Sequence, residues 1–363
     1  MLKQPTVAKE ISDFQSALDF VCDLRNAGSK FSLDRIAKFA EAFGNPHLKY
    51  PVIHVAGTNG KGSVSHIIAS VLQQAGYRTG LFTSPHLQDF RERIRVDGEM
   101  IPKQKVANFV DKHHDKMVEL ELSFFEMTAA LAFDYFAQSD VEVAVIETGL
   151  GGRLDATNLI IPIVSVITNI GLDHMALLGD TLPKIAAEKA GIIKKSIPVV
   201  IGEGDVRYNE VFEQVAAANK SKVIYAEKVF SCQECGCREG RQHFCMHRVR
   251  DDRKFEVDLD LTGNYQRHNI LTAAATVDFL HEETPLTISR RAFLEGTRDA
   301  AAITSLAGRW QKLGENPLVV CDTGHNPHGI AYVAEQLKAT PHKELYCVIG
   351  FVRDKDLAHI LPL

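Results

Sequence analysis

Residues 52–63 read VIHVAGTNGKGS. The stretch opens as an apolar run of strand length and turns through glycines and a lysine into a helical pattern. A strand covered on both faces is apolar at nearly every residue, and the run ending at Ala56 has that form. A glycine-rich turn at a helix N-terminus aims backbone N–H groups at an anion. Lys61 adds a mobile charge suited to the β- and γ-phosphates of a nucleotide. With a strand before it and a helix after it, the turn reads better as a phosphate site than as a turn that binds nothing.

The match to G-x-x-x-x-G-K-[ST] departs at two places. Val55 stands where the first glycine belongs, and Gly57 still supplies a turn. Gly62 stands where a serine or threonine hydroxyl normally reaches Mg²⁺. The missing oxygen must then come from elsewhere. Ser63 is one candidate; Ser84, at the end of the next strand in TSPHL, is another. Both lie at the carboxyl edge of the expected sheet, where ligands of such folds bind.

Working outward, further strands are expected at Arg78–Thr83, Val141–Glu147, Ile163–Thr168, Pro198–Ile201, Lys222–Tyr225, Leu318–Cys321 and Leu345–Ile349. Helical patterns fall at Gly62–Ala75, Lys103–Glu119, Phe124–Gln138, Leu182–Ala190 and Tyr208–Asn219. This alternation predicts an α/β fold: a P-loop-type, mostly parallel sheet with helices on both faces, followed by a smaller Rossmann-like α/β domain. Two amphipathic helices are expected across Ile11–Phe43, joined near Asn26–Ser32. An Asp-Gly turn in RERIRVDGEMI (Arg91–Ile101) reads as a hairpin, and residues 226–262 look antiparallel and polar. The expected domains are 1–300, a linker at 301–316, and 317–363. Two strands and two helices do not close a doubly wound domain, so the last unit reads as truncated.

A chain of 363 residues accommodates two domains. A net charge of −5 and a pI near 6.3 argue against nucleic acid or an anionic membrane as partner. No apolar run approaches the roughly 20 residues that span a bilayer. The N-terminal MLKQPTVAKEIS lacks the apolar core of a signal peptide. Seven cysteines, an odd number and mostly scattered, suit a reducing compartment, so a cytoplasmic protein is expected.

Three more polar residues, Glu147, Asp173 and His174, fall at the same sheet edge. Glu147 ends a buried strand and opens into GLGGRLDATN, a usual position for a Mg²⁺ ligand. Asp173 and His174 follow another strand in NIGLDHMALLG, and Lys189 lies late in a helix in AEKAGII, where a solvated surface lysine is the ordinary reading. Elsewhere, Cys232, Cys235, Cys237 and Cys245 cluster with His243 and His247, a possible zinc nucleus without a clean second ligand pair. Arg91, Arg93 and Arg95 share one face of a strand, which reads first as a solvated edge and second as a contact for substrate carboxylates.

The segments HVAGTNGKGS, TSPHL, SFFEMTA, ETGLGGRLDATN, NIGLDHMALLG, AEKAGII, Gly308-Arg309 and DTGHNP occur in one order. That order resembles the folylpolyglutamate synthase/dihydrofolate synthase family of the Mur-ligase group, from about Phe31 to the last residue. The resemblance implies that Gly57, Thr58, Asn59, Gly60, Lys61 and Gly62 hold the triphosphate of ATP. It implies Mg²⁺ on Ser84, Glu147 and His174, and an N6-carboxylated Lys189 supporting a second metal. Asn269, Arg309 and Asp322 would be further ATP contacts, with His325 beside them; Lys61, Lys189 and His325 form the catalytic set. Pterin recognition would fall to Gly28, Ser29 and Lys30, to Ser123, Phe124, Phe125 and Glu126, and to Arg153, Leu154 and Asp155. Tyr265 stands in place of the family's usual histidine, and Thr323 and Gly324 depart from D-G-A-H-N-P.

The implied reaction is phosphoryl transfer from ATP to a folate-type carboxylate, followed by attack of the α-amine of L-glutamate. Dihydropteroate or reduced folate and L-glutamate are then the small-molecule partners, and a monomer is expected. Two rivals stay open: a ligase adding an amino acid to a UDP-muramoyl peptide, and an ATP-binding protein without catalysis.

Overall fold

The computed structural model describes residues 13–24, 32–351 and 362. Helices α1 (Phe14–Asp23) and α2 (Asp34–Ala42) precede β1 (Val52–Ala56) and α3 (Lys61–Gln74). Next come β2 (Thr79–Phe82), β3 (Ile94–Val96), β4 (Glu99–Met100), α4 (Lys103–Glu119), α5 (Phe124–Gln138) and β5 (Val143–Glu147). The first unit continues with β6 (Val164–Ile167), α6 (Met175–Leu178), α7 (Leu182–Ala190), β7 (Val199–Ile201), α8 (Asn209–Ala218) and β8 (Val223–Tyr225). Among the described residues these strands form one eight-stranded sheet in the order β4-β3-β2-β5-β1-β6-β7-β8. β2, β5, β1, β6, β7 and β8 run parallel; β3 and β4 pair antiparallel at one edge. The hairpin β3–β4 turns through Asp97 (φ 50°) and Gly98 (φ 81°), the paired positive dihedrals that a two-residue hairpin loop requires.

β1 lies between β5 and β6, and every residue of it is buried. Its side chains alternate between two cores. Ile53 and Val55 join the cluster formed with α3, while Val52 joins the one formed with α4 and α5. The register pairs Val55 with Glu147 and Ala56 with Ile167. The loops after β1, β5 and β6 therefore open at one edge of the sheet, which is what builds the site.

Beyond β8, the short α9 (Ala226–Val229) leads into an antiparallel three-stranded sheet of β9 (Phe230–Arg238), β10 (Arg241–Arg248) and β11 (Arg253–Leu259). Its inner face is apolar: Phe230, Phe244, Met246, Val257 and Leu259 are buried in the core shared with α10 (Gln266–Glu283) and α11 (Arg290–Arg298). After α12 (Ala300–Thr304), the chain ends its described elements with an antiparallel pair, β12 (Gln311–Glu315) and β13 (Leu318–Cys321), and helix α13 (Pro327–Ala339). No helix among the described residues is long and apolar enough to cross a membrane.

Five readings change. Leu345–Ile349 is not a strand: it has no regular structure and Leu345, Tyr346, Val348 and Ile349 are exposed, because no neighbouring strand is there to pair with it among the described residues. Arg91, Arg93 and Arg95 do not form a solvated edge. Arg91 and Arg93 fall in a 3₁₀ turn, β4 occupies the edge outside β3, and Arg93 and Arg95 are each only 6% exposed. The 226–262 region is polar on one face only. Finally, the cysteine cluster builds no zinc site: no group of three His, Cys, Asp or Glu side chains placed to hold a metal occurs among the described residues, and Cys235 is joined to Cys245 in a disulfide. β12 also begins at Gln311, inside the stretch read as a linker.

Candidate active site

The phosphate loop is Gly57–Gly60, tied down almost entirely by the segment after β6. Thr58 N–H donates to Asn169 O at 2.9 Å and Asn59 N–H to Asn169 Oδ1 at 2.8 Å. Thr58 Oγ1 donates to Gly171 O and accepts from Gly171 N–H, and Thr168 Oγ1 donates to Asn59 O. At Gly57 a Cβ would collide with Thr168 Oγ1, so the loop passes where only glycine fits. Gly60 caps α3 at φ 80°, with Asn269 Oδ1 occupying the place of its missing side chain. Lys61 Nζ donates to Gly57 O and Thr58 O, both at 3.1 Å, so its charge lies over the loop.

Gly62 is the centre of the arrangement. A Cβ there would lie 3.4 Å from Arg309 Nη2 and 4.0 Å from both carboxylate oxygens of Glu147. Where a hydroxyl would stand in the standard loop, this chain brings a carboxylate and a guanidinium together. Glu147 is 3% exposed, and burial raises its pKa against the opposing pull of Lys61, the Ser84 N–H and Arg309. Its Oε2 accepts from Ser84 N–H at 2.9 Å, which places Ser84 beside it. Ser63, the other hydroxyl considered, is buried and accepts from Gln266 Nε2. His174 follows Asp173 in left-handed backbone at the start of α6 and lines the same cleft. Ser84, Glu147 and His174 offer oxygen and imidazole donors at the cleft wall, and the buried carboxylate has spare acceptor capacity. The set fits a hard divalent cation.

Lys189, on α7, is 3% exposed and donates from Nζ to Gly57 O at 2.8 Å. Burial, then the neighbouring Lys61, lowers its pKa to about 7. Its sequence position suited a solvated lysine; the structure puts it under the phosphate loop. An amine that is half neutral near pH 7 is a nucleophile for CO₂, so the residue fits carboxylation.

The second unit closes the other side. Arg309 donates from Nη1 to Gly308 O and to Thr323 Oγ1. Asp322 accepts from Tyr265 Oη at 2.6 Å, from Trp310 N–H at 2.7 Å and from Gly324 N–H at 2.7 Å. Burial, then the Asp322 charge, drives the Tyr265 hydroxyl pKa far upward, so it stays a donor. His325 holds Nδ1 at Thr323 O and sets Nε2 3.6 Å from Asp173 Oδ2. Asn269 donates to Gln266 Oε1 at 2.8 Å and is thereby oriented at Gly60. Gly57, Lys61, Gly62, Ser84, Glu147, His174, Lys189, Asn269, Arg309, Asp322 and His325 all line one cleft of about 790 Å³, as do Thr58, Asn59 and Gly60.

None of the described residues expected to recognise a pterin lines that cleft itself. Phe125 packs on Gly149, and Gly149, Leu150 and Gly151 line the cleft from the loop after β5. Phe124 and Phe125 are half-buried, with Arg93 stacked 5.1 Å over the Phe124 ring. Glu126 is committed: it caps α5 through Ser123 and pairs with Arg35 at 2.9 Å. Asp155 is buried, holding Leu150 N–H and the Thr157 hydroxyl, so it shapes the glycine loop instead of facing solvent. Arg153 is exposed and pairs with Glu188 at 2.8 Å, and Leu154 is half-buried. Gly28, Ser29 and Lys30 lie outside the described residues. Thr168, Asn169, Asn326 and His328 carry no role in the sequence reading, although all four help to fix the loop. Asn169 and Asn326 lie inside NIGLDHMALLG and DTGHNP, which is the signal that could have found them.

Residues 55–277 match the Mur ligase middle domain, and residues 308–362 match the Mur ligase glutamate ligase domain. The folylpolyglutamate synthase of Lacticaseibacillus casei is 36% identical over 333 residues, covering 89% of this chain and 76% of the relative. Among solved structures, an FPGS–AMPPCP–folate complex superposes with a TM-score of 0.82 at 35% identity, covering 90% of this chain and 80% of that one. A bifunctional folylpolyglutamate synthase/dihydrofolate synthase with Mn, AMPPNP and L-glutamate bound gives 0.83 at 30% identity, covering 98% and 82%.

Proposed function

This chain belongs to the Mur ligase family, and we propose that it is an ATP-dependent ligase adding L-glutamate to a folate-type carboxylate. The acceptor is dihydropteroate, tetrahydrofolate or both, and the products are dihydrofolate and folylpolyglutamates. One observation carries the reading: Glu147 and Arg309 converge on Gly62, at the helix end of the phosphate loop. A turn that merely binds an anion has no use for a buried carboxylate there; phosphoryl transfer between two anions has use for both charges.

In the first step a substrate carboxylate oxygen attacks the γ-phosphorus of ATP, the bond to the β-phosphate oxygen breaks, and ADP leaves. The loop N–H groups of Gly57–Gly62 and the Lys61 ammonium hold the triphosphate in line. Arg309 adds charge from the second unit, and Asn269 fixes the turn at Gly60. Asp322, through Trp310 N–H and Tyr265, holds the segment that carries Arg309. His325, beside Arg309 and Asp322 on the cleft wall, completes the catalytic set. A divalent cation on Ser84, Glu147 and His174 supplies charge neutralisation for the phosphate oxygens. The neutral Lys189 Nζ would add to the carbon of CO₂, forming an N–C bond and releasing one proton to solvent, to give a carbamate anion able to support a second cation. In the second step the α-amine of L-glutamate attacks the acyl phosphate carbonyl; the amine loses a proton and phosphate departs.

Ser123–Glu126 and Arg153–Asp155 shape the pterin side, with Gly28–Lys30 part of the same assignment. The division into an ATP-binding unit to about residue 300 and a glutamate-ligase unit, which starts near residue 308 so as to include Arg309 and β12, belongs to this reading too, as do a cytoplasmic setting and a monomeric state. Lys61→Ala and Glu147→Gln test it. Each is expected to keep the circular-dichroism spectrum and lose turnover by at least about a hundredfold. Near-normal ADP release from either protein would sink the assignment of the loop.

A further inference from the structure

Asn326 is 0% exposed, yet α13, which it caps, has no fully buried residue. The most enclosed side chain of this stretch is therefore an amide, and every capacity of that amide is used. Oδ1 accepts from Gly329 N–H at 2.8 Å and from Asn59 Nδ2 at 3.2 Å. Nδ2 donates to Asn59 Oδ1 at 2.9 Å and to Asp173 Oδ2 at 3.0 Å. Two donors and two acceptor sites are all a primary amide offers.

Its main partner, Asn59, sits inside the phosphate loop. Asn59 N–H is fixed by Asn169 and its carbonyl by Thr168, so its side chain is the part that faces the second unit. His328 Nδ1 also meets Asn59 Nδ2 at 3.1 Å. Two asparagines 267 residues apart thus form a reciprocal amide pair that joins the loop to the start of α13.

We infer that Asn326 is a positioning residue that clamps α13 and the segment carrying Arg309, Asp322 and His325 onto the phosphate loop through Asn59. The inference deepens the ligase reading and rests on it for its catalytic consequence. Asn326 touches no reacting atom in it. It sets the separation between charges supplied by the two units, and a misplacement of about 1 Å in such a geometry costs on the order of a hundredfold in rate. Because Asn59 belongs to the loop that wraps the phosphates, the pair also ties the docking of α13 to nucleotide occupancy.

The plainer account is that Asn326 is only a helix cap. Serine caps a helix about as well as asparagine but offers no amide to Asn59, so Asn326→Ser separates the two. The clamp predicts that Asn326→Ser lowers kcat by about tenfold or more, with the melting temperature close to that of the parent. It also predicts coupling: the double variant with Asn59→Ala is no worse than the poorer single variant. The same four proteins are titrated with AMPPCP while the emission of Trp310, the chain's single tryptophan, is followed; its N–H donates to Asp322. The clamp predicts a smaller emission change in both single variants and no further loss in the double. Parental kcat in Asn326→Ser, or effects that multiply in the double variant, would overturn the clamp. Should the parent turn over neither folate acceptor, the ligase reading falls, and the AMPPCP titration still decides: coupled responses uphold the clamp and additive ones overturn it.

Discussion

Lys189 shows how burial changes the acid–base character of a common residue. On a surface helix its amine would stay charged at any physiological pH. Packed under Gly57 and beside Lys61, its pKa falls to about 7. The neutral fraction then grows as pH rises through that value, and only the neutral amine adds CO₂. Turnover is therefore expected to fall as pH drops below about 7 and to depend on bicarbonate, while Lys189→Arg, a permanent cation, is expected to be inactive. The pH–rate profile in CO₂-depleted and bicarbonate-supplemented buffer reads this out; a rate indifferent to both would remove the carboxylated lysine. The linkage has a definite sign. In the unfolded chain the amine titrates near 10.5, so the unfolded state binds more protons between about pH 7 and 10.5. Stability from this group rises across that window. The motif around Lys189 was visible in the sequence; the environment that lowers its pKa was not, because burial under a loop 132 residues away leaves no local pattern. Tyr265 is similar. As a substitution for a histidine it looked like a weakening, yet its hydroxyl supplies the bond to Asp322 that joins α10 to the second unit.

At the level of elements, close approach decides what substitutions are tolerated. α11 crosses α3 so tightly that a Cβ on Gly296 would lie 2.6 Å from Val71 Cα, and Ser70 Oγ donates to Gly296 O at 2.8 Å. Gly296→Ala must push the helices apart, although alanine is the better helix former. It is expected to destabilise the protein by about 1–3 kcal/mol, seen as a lower urea midpoint with an unchanged slope; an unchanged or raised midpoint would show that the two helices separate freely. Helix limits were well marked where the signals are local. Ser123 and Glu126 form the capping box that starts α5, and the α4, α5 and α7 spans match their apolar periodicity. Asp97-Gly98 likewise announced its hairpin. Leu345–Ile349 shows the converse: an apolar run has strand composition, but a strand needs a neighbour with which to exchange hydrogen bonds. Arg93 and Arg95 alternate as an exposed strand would, but Arg93 ends a 3₁₀ turn, donating to His86 Nδ1 and stacking on Phe124, and β4 pairs outside Arg95.

Across the whole molecule, the site is assembled from two units that each hold half of the charge. The first supplies the loop, Glu147, His174 and Lys189; the second supplies Arg309, Asp322 and His325, and Asn326 pairs with Asn59 where they meet. Such a division makes catalysis depend on closure, since neither half neutralises a transferring phosphoryl group alone. The order of motifs along the chain disclosed which strand tips converge. It could not disclose which side chains meet across the junction, because those contacts join residues hundreds of positions apart. The central claim is the transfer of glutamate, and mass spectrometry of the product tests it most directly. With ATP, Mg²⁺ and L-glutamate, the account predicts that dihydropteroate or tetrahydrofolate gains one glutamyl residue for each ADP released. Glutamyl-free folates with ADP formed only on a UDP-muramoyl peptide, or no product from any acceptor, would contradict it.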